Sequence, residues 1–287
     1  MAPQVKILQI VYDERTRAAR DPAFEELDNL SNPRPDWFEY WPIRQFLDGA
    51  TLAADAYYGF LSPKFWFKTK LSGERVRRFI LASEGADVVT FSPNPEATGL
   101  FLNPFEQGEF SHPGLLKAAD AFLRAYGIPI SAGEFVMDTE HTVYSNYFAA
   151  KRDFWVQWAR VLEFCMRHAE DPASSLHGML TAPTAHDGRI GPQMKIFIME
   201  RMASVLLATN PGFKVVNFPP YEIPVSEERW ANFGQQIVAL EALKRAYRQT
   251  RNLQYIHTFR ALQSSVFEQA AERQRAAQSW ERSATAL

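Results

Sequence analysis

The amino-acid sequence predicts an α/β fold, with a mostly parallel sheet flanked by helices over residues 1–220 and a helical extension over residues 221–287. Three features carry that expectation. Val5–Val11 (VKILQIV) is a short unbroken apolar run, the pattern of a strand buried on both faces of a parallel sheet. Similar runs recur at Ala56–Leu61, Asp87–Phe91 and Phe213–Phe218, separated by segments whose apolar residues follow helical spacing. From Ser226 onward the strand-like runs cease. Glu227 and Glu228 favour a helix N-terminus there, and Trp230, Phe233, Ile237, Leu240 and Tyr247 line one helical face.

The first strand stops at Tyr12-Asp13-Glu14. In open α/β sheets ligands gather at such carboxyl ends, although a solvated loop suits the same residues. Asp21 to Arg34 is polar and turn-rich, and reads as a loop placed to cover a cleft. DWFEYWPIRQFLDG follows as an aromatic-dense helix interrupted or restarted at Pro42. Ser62-Pro63 ends the next strand, and Lys64 and Lys68 then sit among Phe65, Trp66 and Phe67. Ammonium groups there supply point charge for a diphosphate; keeping an aromatic loop soluble is their plainer role. Ser72 caps a short helix through Ile80. The Asp87–Phe91 strand ends in SPNPE, and Asn103–Ser111 reads as a loop. His112-Pro113-Gly114 opens a helix with Leu116, Ala119, Leu123 and Tyr126 inward, stopped by Gly127 and Pro129. His112 is either its N-cap or a site residue.

The stretch that organises the chain is His141–Cys165. HTVYSNYFAA alternates polar with β-branched and aromatic residues, as a strand does. Asp153 stands where an N-cap belongs, and Phe154, Trp158, Val161 and Cys165 recur at helical spacing. A strand thereby delivers Tyr144, Ser145, Asn146 and Tyr147 to a strand–helix junction. Tyr and Asn there suit a polyhydroxylated ligand; a buried Tyr–Asn hydrogen-bonded pair is the plainer reading and starts slightly ahead. Ser174–Gly191 is loop-like, and its His177, His186, Asp187 and Arg189 lack the tight spacing of a zinc site. Pro192 starts an apolar helix that carries Glu200 and Arg201 at mid-length and stops at Asn210-Pro211-Gly212. The last helix spans Asn252 to Ser279, and the C-terminal pair is suited to packing on the first domain, to dimerisation or to a peripheral membrane contact. Lys244, Arg245, Arg248 and Arg251 form a basic stripe of the kind that is usually just solvated.

Composition narrows the field. The 287 residues are 46% hydrophobic with a net charge of −2, which fits a folded globular chain and offers no overall electrostatic case for nucleic acid. Aromatic residues (22 Phe, 10 Tyr, 7 Trp) exceed what a minimal core requires, and such rings fill cores more often than they stack on sugars. Cys165 is the only cysteine, which excludes an intrachain disulfide and fits a small buried hydrophobe. No apolar run approaches a membrane span and no signal-peptide pattern opens the chain, so a soluble cytoplasmic protein is expected, at most associated with the inner face of the membrane.

The order of parts resembles the GT-A-fold (Rossmann-like) glycosyltransferases of bacterial surface-polysaccharide synthesis, in particular a group of small ones. The pieces that carry the resemblance are YYGFLSPKF, DVVTFSP, FEQGEFSHPG, VYSNYFAAKRDFWVQW and KIFIMERMASVLL, between residues 5 and 218. It rests on order and spacing rather than on one diagnostic motif. The resemblance implies transfer of a sugar from a nucleotide-activated donor to a glycan or lipid-linked acceptor. It implies that Tyr12 and Asp13 meet the nucleotide, and that Ser62, Lys64, Lys68, Ser92 and Asn94 lie near the donor phosphates. It further implies that Tyr144, Asn146, His112 and Arg201 serve the sugar or acceptor, with Glu200 as general base; Arg201 pairing structurally with Glu200 is the alternative.

One departure matters. The Asp-x-Asp that holds a divalent metal in many such enzymes reads Ser92-Pro93-Asn94 here, and the nearest acidic substitutes are Asp138 and Glu140. Either those two hold Mn or Mg, or the lysines and a helix N-terminus stabilise the leaving diphosphate without metal, the version favoured by the sequence. The same absence also suits a non-catalytic nucleotide- or glycan-binding protein on this fold. A scaffold organised by the C-terminal helices is a third reading.

Overall fold

A computed structural model describes residues 3–92, 94–186 and 189–284. Its strands are β1 (Val5–Val11), β2 (Glu25–Asp28), β3 (Tyr57–Leu61), β4 (Val88–Thr90), β5 (Phe148–Ala150), β6 (Pro183–His186), β7 (Arg189–Gln193) and β8 (Val215–Asn217). Six of them form one sheet in the order β2–β1–β3–β5–β4–β8, and β6 with β7 forms a separate antiparallel hairpin. Leu8 of β1 lies opposite Glu25 of β2 and Phe60 of β3, both in parallel pairings. Only β5 runs against its neighbours, with Ala149 opposite Gly59 and Val89.

The apolar runs are continuous because both faces of the sheet are covered. Leu8, Ile10, Tyr58, Phe60 and Phe148 face one core, which also takes the helices Tyr40–Gly49, Leu115–Tyr126 and Arg152–Glu170. Val5, Ile7, Tyr57, Leu61 and Tyr147 face another, closed by Phe65 and by Val76 and Ile80 of the helix Gly73–Ala82. Phe154, Trp158, Val161 and Cys165 of the long central helix are all buried, as their spacing predicts, and Trp155 donates its indole N–H to the Tyr58 carbonyl at 3.0 Å. Burial pushes the Cys165 thiol up to about 12, so it stays protonated and inert.

Several local expectations are corrected. Asp21–Arg34 contains β2 at the sheet edge, because Glu25–Asp28 pairs with β1. The aromatic helix starts at Tyr40, two residues before Pro42, which sits in the first turn where a missing N–H does no harm. Asn103–Ser111 is no loop. Asn103 accepts from the Phe105 and Glu106 N–H groups, Pro104 occupies the first helical position, and Pro104–Ser111 is a helix. His112 therefore ends that helix, and the next one starts at Leu115 with Leu115, Ala118, Ala119, Phe122 and Leu123 inward. Ser174–Gly191 holds the helix His177–Thr181 and much of the hairpin; Asp187, like Pro93, lies outside the described residues.

The C-terminal pair, Gly234–Thr250 and Gln254–Ala284, packs onto the segment that follows β4. Phe233, Ile237, Leu240, Phe259 and Val266 are buried with Leu100, Phe101 and Leu102. The basic stripe is not simply solvated. Lys244 is fully buried, donating to the Thr98 and Phe101 carbonyls beside Glu241. Arg245 pairs with Glu241 and Arg248 with Asp138. Lys244 and Arg248 therefore tie the pair to the rest of the chain, while Arg245 braces its own helix. No described helix is long and apolar enough to cross a membrane.

Candidate functional site

The strand order places a crevice at the carboxyl edge. From β1 the chain moves to β2 on one side, then returns past β1 to β3 on the other. The loops leaving β1 and β3 diverge there, which is the switch point at which open α/β sheets hold ligands. Tyr12 leaves β1 at this edge and Ser62 leaves β3. The antiparallel β5 enters from the same edge, preceded by Ser145, Asn146 and Tyr147.

The chain before β5 is a turn rather than the strand its alternation suggests. Val143 N–H donates to Ser204 Oγ and Tyr144 N–H to Ser92 Oγ, so side chains take the bonds a ladder would supply. Ser145 and Asn146 both have left-handed backbone, at φ 59° and 53°. That conformation is unfavourable for a residue with a Cβ and persists where the surrounding structure over-determines it. Its effect is to send Lys68 Nζ to Ser145 Oγ at 2.9 Å and to put Asn146 beside Glu39. Ser145→Val is expected to lower stability by about 1–2 kcal/mol, because a β-branched residue resists this conformation. Ser145→Gly should leave stability nearly unchanged; chemical denaturation of both variants checks this, and equal losses would show that the turn is unstrained.

Glu39 joins the short turn of helix Pro35–Trp37 to the helix Tyr40–Gly49, just after Phe38, whose φ is also positive at 48°. Ser62 and Asn146 hydrogen-bond its carboxyl and Lys68 attracts its charge, but burial and the Glu200 carboxyl outweigh them and raise Glu39 to about 7. Glu200 lies at a break between two helices, Met194–Met199 and Met202–Thr209, rather than within one. Its side chain is 46% exposed, yet protein surrounds it closely enough that desolvation raises its pKa against the pull of Arg201 and Lys68. A group on the floor of a hydrated cleft has both properties. Tyr147 hydrogen-bonds Ser62 at 2.6 Å. Burial raises both Tyr147 and Tyr12, and the charge of Glu39 adds to the effect.

Trp37, Phe38, Glu39, Tyr40, Asn146 and Glu200 help to line a pocket of about 70 Å³, room for a few waters or one small substituent of a ligand. The indole N–H groups of Trp37 and Trp158 and Asn146 Oδ1, all in its wall, have no partner among the described residues. Donors and an acceptor left unpaired there suit ligand hydroxyls or bound water. Beyond the shared wall of Tyr40 and Trp158 runs a wider groove of about 510 Å³, but its Glu163 is held by Tyr40 and Arg44. The carboxyl pair makes the smaller pocket the chemically equipped one.

Of the residues singled out in the sequence, Tyr12, Ser62, Lys68, Asn146 and Glu200 come together around Glu39. The others do not. Asp13 caps the helix Glu14–Ala18 by accepting from Thr16 N–H at 2.7 Å, and Lys64 is exposed at the rim. Ser92 holds the Tyr144 backbone, while Asn94 adopts a left-handed conformation ahead of the helix Pro95–Leu100. Tyr144 is buried among the residues that receive the C-terminal helices. His112 stacks on Phe197 with ring centroids 3.7 Å apart. Arg201 is buried and donates to the Pro104 and Phe197 carbonyls at 2.7 Å each, with Glu200 3.8 Å away. It braces two helices under the site. Sequence reasoning missed Glu39, whose signal was an acid inside an aromatic run, DWFEYW.

Asp138, Glu140 and His141 bring three ligand atoms within 4.8 Å of one another. Asp138 Oδ1 bonds His141 Nδ1 at 2.5 Å, and Arg248 pairs with Asp138 Oδ2 at 3.2 Å. Burial alone raises an aspartate, but His141 and the arginines more than offset it and hold Asp138 below its usual range. Arg248 also reaches His141 Nε2 at 3.1 Å. A guanidinium thus stands where a cation would bind, and a metal fits only if Arg248 leaves. No protein-family model, curated protein or solved structure matches this chain.

Proposed function

We propose that the chain is a GT-A-type glycosyltransferase that moves a sugar from a nucleotide-activated donor to a glycan or lipid-linked acceptor. The observation that carries this reading is the Glu200 carboxyl, open to a cleft at the switch point of a mostly parallel sheet, its pKa raised by burial against the pull of Arg201 and the nearby Lys68. In the reaction the acceptor oxygen attacks the anomeric carbon and its proton passes to Glu200 as general base. The bond from that carbon to the diphosphate breaks, and the leaving oxygens keep the electron pair beside Lys68. Asn146 and the tryptophan N–H groups are placed for sugar hydroxyls, and Tyr12 for the nucleotide end.

The reaction is proposed to run without a divalent ion. Where Asp138 and Glu140 are gathered, Arg248 already neutralises the aspartate. Lys68 is then the positive charge for the diphosphate. Any Mn or Mg would be held by Asp138, Glu140 and His141 in place of Arg248, and would supply Lewis-acid chemistry there. That displaced acidic motif is also what favours the second reading, a non-catalytic nucleotide- or glycan-binding protein.

Thermal unfolding against a panel of nucleotide diphosphates and nucleotide sugars, with and without manganese, tests the proposal. One donor should stabilise the chain by about 2.7 kcal/mol at a hundredfold excess over its dissociation constant, equally with or without manganese. A shift seen only with manganese removes the metal-free mechanism. No shift with any donor counts against the transferase itself.

A further inference from the structure

We infer that the rim of the cleft is a docking surface for an anionic lipid bilayer. The short helix Phe65–Thr69 follows β3 directly and presents different groups on different sides. Phe65 is buried, 4.9 Å from Tyr147 and 5.8 Å from Phe24 between ring centroids, and fastens the helix to the core. Lys68 turns to Ser145 at the site. Trp66 and Phe67 face outward and keep 56% and 71% of their surface exposed.

Two large aromatic side chains left in water at successive positions are costly unless something covers them. The flanking charge says what does. Lys70 Nζ lies 4.3 Å from the Trp66 ring centroid and 4.9 Å from that of Phe67, and Lys64 stands exposed at the other end of the helix. Neither lysine has an acidic partner among the described residues. Phe38, 46% exposed at the mouth of the pocket, and Leu30, 37% exposed beyond β2, add apolar surface from loops at the same sheet edge. Aromatic rings that settle at headgroup depth, beside cations drawn to anionic headgroups, are the chemistry of an interfacial membrane contact.

The C-terminal helices are poorly placed for that task. Ile237, Leu240, Phe259 and Val266 are buried against the segment after β4, the exposed Val238 and Leu253 lie 15 positions apart, and Lys244, Arg245 and Arg248 are already paired. The docking surface stands without the transferase reading. If that reading also holds, a bilayer against this rim brings a lipid-linked acceptor to the cleft mouth.

The test is co-sedimentation of the full chain with vesicles of phosphatidylcholine, with or without one part in three phosphatidylglycerol, in the absence of donor or acceptor. Binding is expected to the anionic vesicles and to fall steeply without phosphatidylglycerol. Trp66→Ala with Phe67→Ala should weaken it roughly tenfold or more. Lys64→Gln with Lys70→Gln should weaken it by roughly fivefold per lysine and remove the dependence on phosphatidylglycerol. All four positions are exposed, so melting curves should show these variants folded. No binding of the unaltered chain, or unchanged binding of the aromatic double variant, overturns the proposal. Because the assay contains no donor, either result leaves the transferase reading to its own test.

Discussion

Glu200→Gln is expected to slow transfer by about 10²–10⁴-fold, the usual contribution of a positioned general base. The amide keeps the volume and hydrogen-bonding reach of the acid but cannot take a proton from an acceptor hydroxyl. Donor binding should survive, because Lys68, Ser62 and Asn146 stay in place. Folding should survive as well, since Arg201 has its own carbonyl partners and touches Glu200 only at 3.8 Å. Single-turnover transfer and donor-dependent melting, measured on the same preparation, separate the outcomes. Slow transfer with normal donor binding supports the base. Normal transfer removes Glu200 from the mechanism, and loss of both donor binding and melting stability would make it a structural residue.

Glu39→Gln is expected to stabilise the folded chain at alkaline pH by roughly 1–3 kcal/mol, the range left after discounting the shift for contact with cleft water. The sign follows from the direction of the shift. Glu39 titrates at about 7 when folded, against 4.5 for the free side chain, so folding favours its protonated form. Below pH 4.5 both states hold the proton and the carboxyl costs nothing. As pH rises towards 7 and beyond, the folded state must bear a charge that the unfolded state accommodates in water, and stability falls. Denaturant unfolding from pH 5 to pH 8.5 should therefore show the variant gaining on the parent as pH rises and the two converging near pH 5. A constant difference across that range would mean that Glu39 is well solvated. On the proposed transferase reading, ionisation of Glu39 also adds a negative charge beside the donor phosphates. Donor affinity should weaken above about pH 7 in the parent and stay level in the variant.

Both predictions concern two carboxyls that share one region, and only one of them was legible in the chain. Glu200 stands out because it interrupts an apolar helix. Glu39 lies 161 positions earlier in an aromatic run, where the ring pattern suggested nothing beyond packing. Their interaction needs the helix break at Glu200 and the left-handed turn at Ser145 and Asn146, and neither has a sequence signature when the residues are not glycine. The misread strand before β5 has a related cause. Alternation reports which residues point the same way, whereas a turn satisfied by Ser92 and Ser204 carries the same alternation without a ladder. The basic stripe shows the converse, since Lys244 is buried by carbonyls contributed from residues far away in sequence.

The sequence by itself determined the α/β class, the strands that recur as short apolar runs, the central helix and the helical C-terminal pair. Those features follow from local periodicity and from apolar runs that must be buried on both faces. The tertiary structure alone decided which predicted polar residues meet. It separated Tyr12, Ser62, Lys68, Asn146 and Glu200 from Tyr144, His112 and Arg201, which serve packing and bracing. A side chain's surroundings depend on crossovers that bring distant segments to one sheet edge, and desolvation and repulsion act only once those segments are assembled.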